Sequence, residues 1–300
     1  MRLHLFVRMQ VVLAIGLMVA GLCYAGTFNV AIEPAGVQSA AASIVCVGQA
    51  DCIFGTETFD SLTGYTAPGL PPALPAGEHI YNFSTNFGGA LTNYGSSPSV
   101  SGTISGVYSS PQGTASFVPL KADQYGGAGG TGVYAEIYDT DPGRDPAGPN
   151  SYTVTLTSGG SIPGVNFFGL WFPALDNGSQ LQFYSGSTLV YTFTPAAYIG
   201  MVGTCPNASN AYCGNPNSQF LHQNPGQQYA YIDFTETGGY FTSVVFTELN
   251  GYGGAFESDN QTAGYLGAGT GPIPEPGSLG LFMGGGILIA LGAIRRVFRA

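Results

Sequence analysis

SYTVTLT, residues 151–157, and VNFFGLWF, residues 165–172, decide the fold class. In the first, Tyr152, Val154 and Leu156 alternate with Thr153 and Thr155, the period of two that a strand shows when one face is wet. In the second, Phe168, Leu170 and Phe172 fall on one face and Phe167 and Trp171 on the other, as in a central strand covered on both sides. Runs of the same composition, bounded by Gly, Pro, Asn or Ser, extend outward in both directions. They are HIYNF (79–83), SVSGTISGVY (99–108), GTASFVPL (113–120), GVYAEIYD (132–139), SQLQFYS (179–185), TLVYTFT (188–194), QYAYIDFT (228–235) and FTSVVFTEL (241–249). Strands this short at hairpin spacing predict an all-β antiparallel sandwich, jelly-roll-like, over residues 26–271. No helical period of comparable length interrupts them, which excludes a parallel βαβ fold, and no repeat of fixed length indicates a solenoid or propeller. Residues 26–76, with the turn-rich YTAPGLPPALPAG, read as irregular surface structure.

Composition agrees with strands and turns: 47 glycines, 20 prolines and 8% charged residues disfavour helix. The two ends differ from the middle. Residues 1–25 carry Arg2 and Arg8, then an apolar run over 11–22 and small residues before Gly26, the pattern of a cleaved export signal; an uncleaved anchor is the alternative. At the other end, residues 277–294 contain no charge and would reach about 27 Å as a helix, enough to span a bilayer. Arg295, Arg296 and Arg299 follow. By the positive-inside rule they remain cytoplasmic, which places residues 26–271 on the far side of the inner membrane, in agreement with the N-terminal signal.

Between the ends, only Lys121 and Arg144 stand against 16 carboxylates, a formal charge near −14. Such a surface repels phosphate backbones and excludes nucleic acid as a partner, while divalent cations and neutral sugars remain compatible. Four cysteines fall in two close pairs, Cys46 with Cys52 and Cys205 with Cys213, and are expected as two local disulfides in an oxidising compartment. Zinc is the alternative, but no histidine adjoins either pair.

The inventory for catalysis is thin. No G-x-S-x-G or H-E-x-x-H is present, so a nucleophile with a histidine base has little support; a paired-carboxylate glycosidase or lyase needs only two facing acids and is kept as an alternative. GAGGTG (127–132) matches a dinucleotide fingerprint by letter, but a strand rather than a helix follows it, so it reads as a flexible glycine loop. Two acidic groups are candidate calcium sites. In DTDPGRD, Asp139, Asp141 and Asp145 alternate around Gly143, although Pro142 departs from the EF-hand pattern and an acidic turn is the alternative. In the second, Glu57 and Asp60 near the start are expected to meet Glu257, Asp259 and Asn260 near the end if first and last strands lie side by side; separate turn caps are the alternative. Tyrosines and Trp171 would serve either as a sugar-stacking platform or as core, and the two-sided apolar strand around Trp171 favours core.

Pro274-Glu275-Pro276, the uncharged segment and Arg295-Arg296 together resemble the PEP-CTERM sorting signal of exosortase-dependent bacterial surface proteins. FFGLWFPALDNGSQLQFYSGSTLVYTF and YAYIDFTETGGYFTSVVFTELNGYGGAFESDN resemble the ectodomains of such proteins; Ser179 stands where asparagine is usual, and Ile273 precedes the motif. The resemblance implies export, insertion of residues 277–294 in the inner membrane, processing near Pro274–Pro276 by an exosortase, and a mature form at the surface or in an exopolysaccharide matrix. The chain would then be the substrate of a sorting enzyme. Its expected role is structural or adhesive, with exopolysaccharide binding as the alternative and no cofactor beyond a structural calcium. Ice recognition wants a regular threonine array, and the threonines here are irregularly spaced.

Overall fold

In the computed structural model the described residues are 26–40, 51–62, 82–87, 92–93, 101–109, 118–138, 150–249, 252 and 254–267. They form two antiparallel sheets. Sheet 1 has the order β1 (Thr27–Ile32), β12 (Ala230–Thr237), β9 (Phe167–Phe172), β14 (Ala255–Leu266), β2 (Cys52–Glu57) and β4 (Thr92–Asn93). The hairpin of β6 (Val118–Lys121) and β7 (Val133–Tyr138) joins it through the first part of β14. Sheet 2 has the order β11 (Thr188–Phe193), β10 (Ser179–Ser185), β13 (Ser243–Glu248), β8 (Asn150–Ser158), β5 (Ile104–Ser109) and β3 (Asn82–Asn86).

The alternation read from the sequence fixes which side chains enter the core. Tyr152, Val154 and Leu156 are buried, as are all six residues of β9. Across the sheets, Phe168 meets Phe183 and Phe246 edge-on at 6.2 and 6.1 Å, and Phe183 lies 4.8 Å from Phe234. Burying one such ring contributes about 1.5–3 kcal/mol, with roughly 0.5–1.5 kcal/mol more from each well-oriented ring pair. Phe28 of β1 stacks on Tyr191 of β11 at 4.4 Å, which closes the sandwich along the edge where the two sheets meet.

Four strands and a helix depart from the sequence reading. β1 and β2 occupy part of the stretch expected to be irregular, while the two-residue β4 and the 12-residue β14, AFESDNQTAGYL, lie outside the runs expected as strands. Helix α1 (Pro195–Val202) is capped by Thr194, whose side chain accepts from Ala197 N, and ends at Gly203, φ 86°. Eight residues are too few to show a period, but Thr-Pro at one end and Gly at the other are its start and stop signals.

Cys205 and Cys213 form the expected disulfide. Cys52 is also disulfide-bonded, to a partner outside the described residues, where Cys46 lies. Among the described residues no helix is long and apolar enough to cross a membrane; residues 1–25, 272–300 and the DTDPGRD carboxylates Asp139, Asp141 and Asp145 lie outside them.

Candidate functional site

The second face of sheet 1 is not a solvent face. Ile232, Phe234, Phe168 and Leu170 enter the core, so Tyr231, Asp233, Gly169 and Trp171 point the other way. The register sets Tyr231 and Asp259 on either side of Trp171. Trp171, Ala174, Tyr229 and Tyr231 make a cluster of their own, roofed by Ala40 and by Ala128 of the glycine loop. The expectation that Trp171 is a packing residue is met: it is fully buried. What a covered strand did not reveal is that its second cover is polar, lined by carboxylates.

Glu57, Asp60, Asp259 and Asn260 do come together. β2 pairs with β14 so that Glu57 faces Gln261, and a bulge between Asp259 and Thr262 turns Asn260 into the left-handed region, φ 45°. The Asp259 carboxylate accepts from Ala128 N at 2.7 Å and from Asn260 N at 2.6 Å. Asp60 accepts from Val133 N at 3.0 Å, and Glu57 accepts from Phe59 N at 2.6 Å. Burial pushes the Asp259 carboxyl up to about 8; the two backbone hydrogen bonds pull it down, and the charges of Asp60 and Glu57 push it further up. Gly132 explains the approach of Asp60: at φ +79°, a Cβ there would lie 2.0 Å from Asp60 Oδ1. GAGGTG closes over the acidic group, with Ala128 N donating to Asp259 and Gly127 O accepting from Asn217.

Asp60, Asp259 and Asn260 open into a cleft of about 540 Å³, shared with Gln38, Thr131 and Asn217. Its amides are cross-tied: Gln38 donates to Asn217 Oδ1 at 2.7 Å, Asn260 to Gln38 O at 2.7 Å and Asn217 to Gly127 O at 3.0 Å. These bonds hold residues 36–40 and the glycine loop against each other across the mouth of the cleft.

Glu257 does not join this group. It sits in the β14–β7 ladder directly opposite Glu136, and both are 5% exposed. Two further groupings had no signal in the spacing. Glu33 and Asp233, 2% and 6% exposed, face each other next to the β1–β12 ladder. Burial, and then the hydrogen bond and charge of Glu33, push the Asp233 carboxyl up to about 8; burial also raises Glu33, while its bond to Asp233 lowers it. Around Glu257 gather Glu136, Asp176 and Glu248, an arrangement that only the sheet register creates. Among the described residues no group of three or more His, Cys, Asp or Glu side chains is arranged to hold a metal ion. His222, φ 60°, is exposed, far from acting as a buried base.

No protein-family model and no curated protein matches the chain. Among solved structures, the crystal structure of the K2 cleaved adhesin domain of Lys-gingipain is similar over 70% of this chain and 98% of that one, at 14% identity and a TM-score of 0.35. A likeness at that level carries no argument about function.

Proposed function

We propose that this is an exported, non-catalytic β-sandwich protein of the cell surface or extracellular matrix, sorted by its C-terminal signal and processed near Pro274–Pro276 by an exosortase. The observation that carries the reading is the order of three features in the tail: Pro274-Glu275-Pro276, the uncharged segment 277–294 and Arg295-Arg296. Prolines keep the processing point extended and outside any helix, so an enzyme at the membrane face can reach its backbone. The position of β14 is compatible with this order, since the strand ends at Leu266, before Pro274 in the sequence. The Cys205–Cys213 disulfide supports an oxidising compartment. The inner membrane is the transient partner through residues 277–294, the exosortase is the processing partner, and the jelly-roll-like sandwich is the mature part. Intact mass of the protein from strains with and without the exosortase tests this. Loss of the residues after the Pro-Glu-Pro only where the enzyme is present is expected, and the same C-terminus in both strains would refute it.

A second reading is favoured by the cleft. Carboxylates and amides converging from Gln38, Asp60, Asn217 and Asn260 suit either the hydroxyls of an exopolysaccharide or a calcium ion, for which Asp60 and Asp259 would supply the first oxygens and Glu57 the field. Adding chelator should then lower the melting temperature; no change would exclude the ion, and no retention on the host's polysaccharide would exclude the glycan.

A further inference from the structure

We propose that Glu136 and Glu257 hold a divalent cation that fastens the β6–β7 hairpin to β14, a site separate from the cleft at Asp60 and Asp259 and independent of the fate of the tail. The two glutamates oppose each other in the middle of a four-residue ladder running from Ala255–Tyr138 to Ser258–Ala135. Phe256, Ala135 and Ile137 enter the core, so both carboxylates lie on the opposite, covered face of the sheet. Like charges directly across a ladder repel, and burial removes the water that would screen them.

Independent observations point to a ligand. Glu257 Oε2 is buried without any hydrogen-bond partner, in a residue only 5% exposed. Two more carboxylates act on Glu257 through their charge, Asp176 from a loop and Glu248 from sheet 2. Asp176 accepts from Gln227 Nε2 and from Ala255 N, both at 2.9 Å, and Glu248 Oε2 accepts from Ser179 Oγ at 3.0 Å. Glycine leaves room for each: a Cβ on Gly254 would lie 2.1 Å from Asp176 Oδ2, and one on Gly178 would lie 1.9 Å from Glu248 Oε1. The pair in the ladder supplies direct ligands, main-chain carbonyls or waters complete the shell, and Asp176 and Glu248 add negative potential. Ligands that are all oxygen, with no histidine or thiol, select a hard cation such as Ca²⁺ or Mg²⁺. One divalent ion offsets the charges of the two ladder glutamates and uses the Glu257 oxygen that has no partner. Lys121, the single lysine or arginine among the described residues, is exposed.

The test uses the full-length protein, stripped with EDTA and titrated with CaCl₂ or MgCl₂, read by thermal unfolding and by calorimetric stoichiometry. The wild type is expected to gain on the order of 5–10 °C at a hundredfold excess over Kd. Glu257→Gln should be at least as stable as wild type in EDTA, because a repelled charge is gone, yet bind one ion fewer and lose that ion's share of the gain. Asp259→Asn should keep it. Glu136→Gln, from the partner strand, should repeat the Glu257→Gln result and serves if the first variant fails to fold. Unchanged stoichiometry in the glutamine variants would overturn the proposal. So would a wild type indifferent to both cations, which would leave the cluster neutralised by protons alone.

Discussion

Asp233→Asn should change how stability depends on pH rather than simply lower it. In the native protein Asp233 is 6% exposed, Glu33 is 2% exposed, and Asp233 Oδ1 and both Glu33 oxygens have no partner other than each other. Such a pair retains one proton between its two carboxyls. With the Asp233 carboxyl at about 8 in the fold and near its ordinary value of 3.8 once unfolded, the native state binds a proton that the unfolded chain releases. The group's folded value is raised, so its contribution is fully present below the unfolded value and is lost as pH rises toward the folded one. Each pH unit in that window removes about 1.4 kcal/mol per proton, so the pair costs about 3 kcal/mol between about pH 5 and about pH 7. For a domain of this size that is a fall of roughly 6–12 °C in melting temperature. Asn keeps the shape and offers Glu33 a donor that does not titrate. Thermal unfolding followed by circular dichroism at constant ionic strength should find the variant close to wild type near the acid end and clearly more stable near the alkaline end. A difference between the two proteins that stays constant across this pH range would refute the shared proton.

Gly132→Ala places a Cβ in a left-handed backbone and against Asp60 Oδ1 at 2.0 Å, and should cost about 1–3 kcal/mol in chemical denaturation, more than the same change at the exposed Gly186, also at positive φ, where nothing lies within 4 Å. Replacing Cys205 and Cys213 by serine opens a loop of sequence separation 8 and should lower stability by about 2–3 kcal/mol, a loss that reductant should match or exceed in the wild type, where it also opens the Cys52 disulfide. Phe183→Ala removes a fully buried ring that contacts Phe28, Phe168, Phe234 and Phe241 and should cost about 3–5 kcal/mol; a smaller effect in urea titrations would mean that the sheets close up around the gap.

How far the sequence could be read depended on what covers each strand. β8 and β9 were legible because their inner faces are plainly apolar, and SQLQFYS predicts the bounds of β10 to the residue. β14 was not, because Glu257, Asp259 and Thr262 are polar letters that a strand pattern puts in solvent, whereas all three are buried and Asp259 is held by Ala128 N of the glycine loop. Burial of polar letters is a tertiary effect and has no period. The meeting of Glu57 and Asp60 with Asp259 and Asn260 followed from one topological premise, first strands beside last, which the β2–β14 pairing satisfies. The same premise misplaced Glu257, since β14 is long enough to serve two partners, β7 with its first part and β2 with its second. Glu33 with Asp233 is a pair separated by 200 residues, and only the β1–β12 register brings it together.

The position of β14 also governs when the fold can close. It is the last strand in the described chain, yet it lies inside sheet 1, between β9 and β2, and carries the β6–β7 hairpin as well. A chain emerging from its N-terminus therefore presents β2, β7 and β9 long before the strand that joins them exists. Until residues 255–266 have appeared, sheet 2 can assemble while sheet 1 remains in pieces with open edges. Completion thus waits for residues 255–266, so a chain cut before residue 255 loses the centre of a layer rather than its rim, and any factor that guards the nascent protein has to hold it until that strand arrives.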